Sequence, residues 1–89
     1  MRTLTLKHPV SVGKKDVTEL RFREFATAGD LLAFDEIGQN RQTISLIANL
    51  TGTAPEFVER LHVADFRAAD AIASELLAPE QTEKNAVES

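Results

Sequence analysis

Residues 19–32, ELRFREFATAGDLL, pass from one structural pattern to another. Leu20 and Phe22 alternate with polar residues, which is the pattern of a half-buried strand. Thr27 and Asp30 then precede an apolar run with helical spacing. A threonine hydroxyl can cap the first turn of a helix, and an aspartate there places negative charge at the positive helix end. The stretch therefore predicts a strand that leads directly into a helix.

The composition is that of one small globular domain. The chain has 89 residues, 43% hydrophobic and 27% charged, and no Cys, which excludes disulfides and thiolate metal sites. We expect a domain at residues 1–78 and a flexible tail at 79–89. No apolar run reaches the roughly 20 residues of a membrane span, and no apolar signal segment opens the chain, so we expect no membrane partner and no secretion. A core this small leaves oligomerisation as a further source of stability.

Charge is divided unevenly along the chain. Residues 1–23 carry six basic and two acidic side chains, a net of +4, whereas residues 24–89 carry four basic and twelve acidic ones, a net of -8. A basic N-terminal arm could steer partners, or pair head to tail with the acidic body of another copy. The alternative is an ordinary solvated hairpin on an acidic helical body, and charge alone favours that alternative.

The N-terminal third of the chain predicts a β-hairpin. Residues 3–7 alternate between apolar and polar side chains, and Pro9 either ends this strand or places it at a sheet edge. A turn signal at 13–16 separates it from a second alternating run at 17–22. Since an isolated two-stranded hairpin is marginal in water, the hairpin at 3–23 should lie on the helices or pair with another chain.

Residues 28–78 predict four helices. The first helix runs from Ala28 to Ile37 and is stopped by Gly38. After a linker at 39–42, the second helix covers Thr43–Leu50 and is closed by Gly52. A short third helix runs from Pro55 to Leu61, and a last helix begins between Val63 and Asp65 and is ended by Pro79. Helical spacing assigns apolar surface to Leu31, Leu32, Phe34 and Ile37, and burial to Ile44, Ile47, Ala48, Leu50, Phe57, Val58, Leu61, Phe66, Ala69, Ile72, Ala73, Leu76 and Leu77. The predicted fold class is α+β, with an N-terminal β-hairpin, a small bundle of about four helices and a disordered C-terminal tail.

The sequence offers no catalytic or metal-binding pattern. His8 and His62 lack Cys, Asp or Glu neighbours at metal-ligand spacing, so structural histidines are the favoured interpretation. For Asp65 a helix-capping role is favoured over a functional one. No serine is placed with a histidine and an acid, and the helix-end glycines form no phosphate loop. We therefore expect no enzyme activity and no cofactor or metal.

Two groups of side chains are candidates for partner binding. Arg21 and Arg23 share one face of the second strand, where they could bind an acidic surface or equally keep an exposed strand soluble. Apolar helix faces wider than a small core can absorb would suit a helical client. The candidate contacts on these faces are Phe34, Ile37, Leu76 and Leu77.

Helices on either side of Gly52 also allow a helix-turn-helix interpretation. The would-be recognition helix, Pro55–Leu61, carries Glu56 and Glu59 against one Arg60. This charge repels phosphate, so nucleic acid is not an expected partner.

The order of short motifs resembles the phage tail assembly chaperone family of Mu-like and related contractile-tailed phages. The matching motifs are LRFRE at 20–24, TAGDL at 27–31, LTG at 50–52, the acidic helix start PE at 55–56, Leu61, DF at 65–66 and LL at 76–77. The resemblance spans about residues 3–78 and rests on order and spacing, since no single motif is diagnostic. Phe25 departs from the pattern, because such proteins often have Pro there.

The resemblance implies a non-enzymatic chaperone of virion morphogenesis, located in the cytoplasm of the bacterial host and absent from the mature virion. It implies binding to the tape measure protein, which is kept soluble, and recruitment of tail tube protein through a frameshifted longer form. Glu83-Lys84-Asn85 can be encoded as GAA AAA AAC, which contains a slippery heptamer. Many copies would bind one client, so a homo-oligomer is expected. The alternative is a generic interaction or oligomerisation domain of a prophage, followed by the DNA-binding module.

Overall fold

A computed structural model describes residues 2–78. Its elements are β1 (Arg2–Val12), β2 (Lys15–Phe22), a 3₁₀ helix (Ala28–Asp35), α1 (Gln39–Thr51), α2 (Pro55–Glu59) and α3 (Val63–Leu77). The predicted α+β class, a β-hairpin followed by four helices, is confirmed. The predicted flexible tail and the stop signal at Pro79 lie outside the described residues.

The hairpin is antiparallel and turns tightly at Gly13, whose φ of +64° is accessible to glycine at little cost. Near its open end Thr5 pairs with Glu19, whereas near the turn Val10 pairs with Val17. Four residues of β1 therefore face the single residue of β2 between these pairs. Such a bulge bends the strand and leaves backbone groups outside the ladder.

Pro9 lies inside this bulge. The strand does not end there but continues to Val12, and the two-stranded sheet makes β1 an edge strand. Of the two outcomes expected for Pro9, the edge position is confirmed. A residue without an N–H is tolerated here because the bulge has no ladder bond to lose.

The inner face of the hairpin packs on the helices of the same chain. Leu20 and Phe22 are fully buried, together with Ile47 of α1 and Ala69 of α3. These apolar contacts supply most of the stabilisation that a lone hairpin lacks. The hairpin therefore folds against its own body.

The helix predicted at Ala28–Ile37 is instead a 3₁₀ helix that ends at Asp35. A 3₁₀ helix has three residues per turn, so only every third side chain points in one direction. Asp30 and Ala33 take the inward positions and are the buried residues of this helix. The prediction assumed a period of 3.6, which gives a wider inward face.

The predicted linker at 39–42 is wrong, because these residues form the first turn of α1. Gly38, with a φ of +100°, reverses the chain and precedes the helix directly. The polar run that follows lacks apolar periodicity but consists of residues compatible with a helix. The predicted end is confirmed at Gly52, which adopts the left-handed conformation with φ +70°.

Gly52→Ala should lower the free energy of unfolding by about 1 kcal/mol, because a Cβ disfavours the left-handed conformation. The matched control is Gly29→Ala, whose Cβ would lie 3.7 Å from Thr27 Oγ1, an ordinary contact. Denaturant unfolding of both variants checks this. Equal losses would contradict the assignment of strain to Gly52.

Candidate functional site

The end of β2 is tied to the 3₁₀ helix by an ion pair. Arg23 Nη2 donates to Asp30 Oδ1 at 2.6 Å and to the backbone oxygen of Asn49 at 3.1 Å. The Arg23 backbone N–H donates to Leu50 O at 3.0 Å. One residue therefore joins the strand, the 3₁₀ helix and the last turns of α1.

Asp30 is 4% exposed and acts at the third helical position of a capping box with Thr27 as N-cap. Its Oδ2 accepts from the Thr27 backbone N–H at 2.7 Å. Burial alone would raise the pKa of Asp30. The Arg23 hydrogen bond, the Thr27 backbone N–H and the charge of Arg23 outweigh burial and hold this pKa below its ordinary value.

The other end of the 3₁₀ helix is held by α1. Gln42 Nε2 donates to Phe34 O at 3.3 Å and to Glu36 O at 3.0 Å. These bonds occupy carbonyls that the end of a helix leaves without partners. Polar contacts therefore fix both ends of a segment whose own buried surface is small.

Large apolar side chains of this segment face solvent. We call Leu31, Leu32, Phe34 and Ile37 the apolar patch; they are 53%, 67%, 44% and 90% exposed. Since a 3₁₀ helix rises about 2 Å per residue, the six residue steps from Leu31 to Ile37 correspond to about 12 Å along the segment. Asp35 and Glu36 are also exposed and border the patch with negative charge. Exposed apolar side chains this close together are typical of an interaction site.

The remaining predicted partner residues have different surroundings. Arg21 is 69% exposed and pairs with Glu19 along the same strand, at 3.0 Å. Leu76 and Leu77, near the end of α3, are half-buried against the core. Phe34 and Ile37 are therefore exposed on one short segment, whereas Arg23 makes intramolecular contacts and the last two leucines pack inward.

A second buried carboxylate joins α3 to the hairpin. Asp65 is 2% exposed, and its two oxygens accept the backbone N–H groups of Lys7 and His8, each at 2.9 Å. Both donors lie in the β1 bulge, where the ladder leaves them unpaired. The predicted capping role of Asp65 is wrong. His62 is the N-cap of α3, its Nδ1 accepting from Ala64 N–H at 3.0 Å, and Asp65 reaches across to the strand.

The rings of His8 and His62 stack beside this carboxylate, with centroids 3.9 Å apart. Burial opposes the ionised form of Asp65 and would raise its pKa. The backbone N–H donors of Lys7 and His8, with smaller electrostatic contributions from His8 and His62, outweigh burial and keep the pKa of Asp65 below its ordinary value. Among residues 2–78 no group of three His, Cys, Asp or Glu side chains could hold a metal ion.

The surface between α1 and α3 forms an open groove of ≈ 510 Å³, lined in part by Ile44, Phe66 and Asp70. It brings together no set of reactive side chains. The possible recognition helix of a DNA-binding module is also small, because α2 contains only five residues, Pro55–Glu59. Within the part of the chain that the structure describes, no helix combines the length and apolarity of a membrane span.

Comparison with known families decides among the functional alternatives. A family model described as "Phage tail assembly chaperone proteins, E, or 41 or 14" matches residues 3–78. The chain belongs to the phage tail assembly chaperone family. The family resemblance read from the motifs is thus confirmed. The match covers the hairpin, the apolar patch and all the helices. No curated protein and no solved structure shows a significant match.

Phage tail assembly chaperones assist assembly and are not catalysts, which agrees with the expectation that this chain is not an enzyme. Sequence reasoning assigned apolar surface to Phe34 and Ile37, which are exposed, and their role in partner binding stays a prediction. It missed the contact of Asp30 with Arg23 and the contacts of Asp65 with the strand. The capping pattern was a usable signal for Asp30. For Asp65 there was none, because its partners precede it by 57 and 58 residues.

Arg23→Ala should lower the free energy of unfolding of this chaperone by about 2 kcal/mol, since a buried carboxylate loses its charged partner. We reduce the figure for a fully buried pair because the Arg23 side chain is 37% exposed. Arg21→Ala, the neighbouring exposed arginine, should change stability by less than about 0.5 kcal/mol. Urea unfolding measures both. Similar values for the two arginines would refute the intramolecular role of Arg23.

Asp65→Asn should cost about 1–3 kcal/mol, because its amide can accept only one of the two bulge N–H groups. It should also weaken the acid dependence of stability. The folded pKa is lowered, so the unfolded chain takes up the proton first, and the stabilisation present above about pH 4 is lost as pH falls further. The variant should keep part of the acid dependence of its stability, because the pKa of Asp30 is also lowered in the folded chain.

Denaturant unfolding at a series of pH values from neutral to acid tests this expectation. The control is Asp35→Asn, which removes an exposed carboxylate. If the free energy of unfolding falls with pH as steeply in the Asp65→Asn variant as in the wild type, the charge of Asp65 does not contribute to stability.

Proposed function

We propose that this chaperone binds the tape measure protein of the phage tail, keeps it soluble and helps to recruit tail tube protein around it. The observation that carries the proposal is the apolar patch. Family membership gives the general role, and the patch supplies a surface suited to an apolar client. Its bordering carboxylates would keep the free chaperone soluble.

The strength of one such contact is expected to be modest. Fully burying a large apolar side chain stabilises a complex by about 1.5–3 kcal/mol, and three of these four, Leu31, Leu32 and Phe34, are already partly covered in the free protein. Association and ordering offset much of this gain. Many chaperone copies along one elongated client would bind it by avidity, which supports a homo-oligomeric assembly. A helical client would place residues spaced by three or four positions on the patch.

The expected place of action is the cytoplasm of the bacterial host, and we propose that the chaperone is absent from the mature virion. Contact with tail tube protein is assigned to a longer form made by a −1 frameshift. The candidate slip site, Glu83-Lys84-Asn85, lies outside the described residues. The codons of the gene test it, since a run broken by synonymous codons would exclude this site. Arg21, Arg23, Leu76 and Leu77 stay predicted partner contacts.

Co-expression with the tape measure protein of the same phage tests the proposal. The wild-type chaperone should raise the soluble fraction of the client and co-purify with it. Leu32→Ser with Ile37→Ser should abolish both effects while leaving the free energy of unfolding nearly unchanged, because both side chains are already mostly exposed.

Val63→Ser is the matched control, since Val63 is an apolar residue of α3 that is 58% exposed outside the patch. This variant should rescue the client as the wild type does. A client that stays insoluble with the wild type refutes the proposed function. Full rescue by the patch variant refutes the assignment of the patch.

A further inference from the structure

Three of the six basic side chains of residues 2–23 are already paired within the described part of the chain. Near the open end of the hairpin Arg2 pairs with Glu75 of α3, Arg21 with Glu19, and Arg23 with Asp30. The net charge of +4 is therefore not a uniform basic surface. It is partly neutralised where the hairpin meets the acidic helices.

The hairpin tip, which we define as Val12–Lys15, is different. Every residue of the tip is exposed, and Val12 is 44% exposed. Within the described residues neither Lys14 nor Lys15 takes part in an ion pair, and the adjacent Asp16 accepts a hydrogen bond from Ser11 Oγ at 2.9 Å. The tip therefore presents two lysines beside an apolar side chain.

The apolar patch has the complementary character. It combines apolar side chains with the exposed carboxylates of Asp35 and Glu36. Arg41 lines the same shallow surface, which leaves a net charge of -1 there. A contact between tip and patch would bring opposite charges together and bury Val12 against Phe34 or Ile37.

The tip of a molecule cannot readily reach its own patch. The 3₁₀ helix starts beside Arg23, at the open end of the hairpin, whereas Lys15 lies at the opposite end of β2. Eight strand residues span about 26 Å. The described residues extend 53 Å in their longest direction and only 27 and 20 Å in the others. The contact therefore has to join two molecules.

We propose that the hairpin tip of one copy docks on the apolar patch of a second copy. The two surfaces are different, so the contact is heterologous and leaves a free tip and a free patch at the ends of a row. The row would cover patches before a client arrives. Displacement of the docked tips by a client rests on the proposed function. The contact between two copies does not depend on that function.

Sedimentation equilibrium of the full chain over a concentration series, at low and at high salt, tests the contact. The wild type should associate reversibly and more weakly at high salt. Lys14→Glu with Lys15→Glu, or Asp35→Lys with Glu36→Lys, should each weaken association by about tenfold or more through like-charge contact. Mixing the two variants should restore a 1:1 complex, because one retains a native patch and the other a native tip.

Two control variants accompany these. Lys14→Arg with Lys15→Arg preserves the tip charge, and Arg67→Glu changes charge on α3; both should associate as the wild type does. A wild type that stays monomeric at low salt overturns the proposal, as do an unaffected tip variant or a mixture that remains monomeric. Co-purification with the tape measure protein separates the two proposals. If neither the wild type nor the tip variant co-purifies with it, the proposed function is refuted but the contact between copies is not.

Discussion

The contact between Arg23 and Asp30 constrains the arrangement of everything that follows the hairpin. Asp30 is withdrawn from water, and a buried carboxylate is tolerated only when charge and hydrogen bonds compensate for its lost hydration. Arg23 also bonds to the last turns of α1. The contacts that compensate for the burial of Asp30 therefore hold the end of β2, the 3₁₀ helix and α1 together. The 3₁₀ helix is placed by polar contacts at its two ends, with Ala33 as its one buried apolar side chain.

This placement explains how a small protein can keep large apolar residues in water. An amphipathic α-helix is held by burying its apolar stripe, which leaves little of that stripe for a partner. Here Asp30 and Gln42 provide the attachment, so Leu32 and Ile37 remain outside the core. The chain belongs to the tail assembly chaperone family, and attachment through polar groups would separate the requirements of folding from those of the proposed client binding.

Local patterns predicted the features that depend on local chemistry. The hairpin, its glycine turn, the cap at Thr27 and the helix end at Gly52 all follow from neighbouring residues. The α1 start was missed because residues 39–42 carry no apolar period. The 3₁₀ geometry was missed because the same apolar residues fit a helix of either period. The role of Asp65 depends on a bulge 57 residues away, which no spacing within α3 indicates.

The bond from Lys7 to Asp65 also has a consequence for the order of folding. It joins residues 58 positions apart, and the pair formed by Arg2 and Glu75 spans 73. Contacts this distant in sequence require loop closure before they stabilise anything, which slows folding relative to a simple helical bundle. During synthesis the bulge donors have no carboxylate partner until α3 has been made. β1 therefore reaches its final conformation only after α3, which follows it in the chain, has been made.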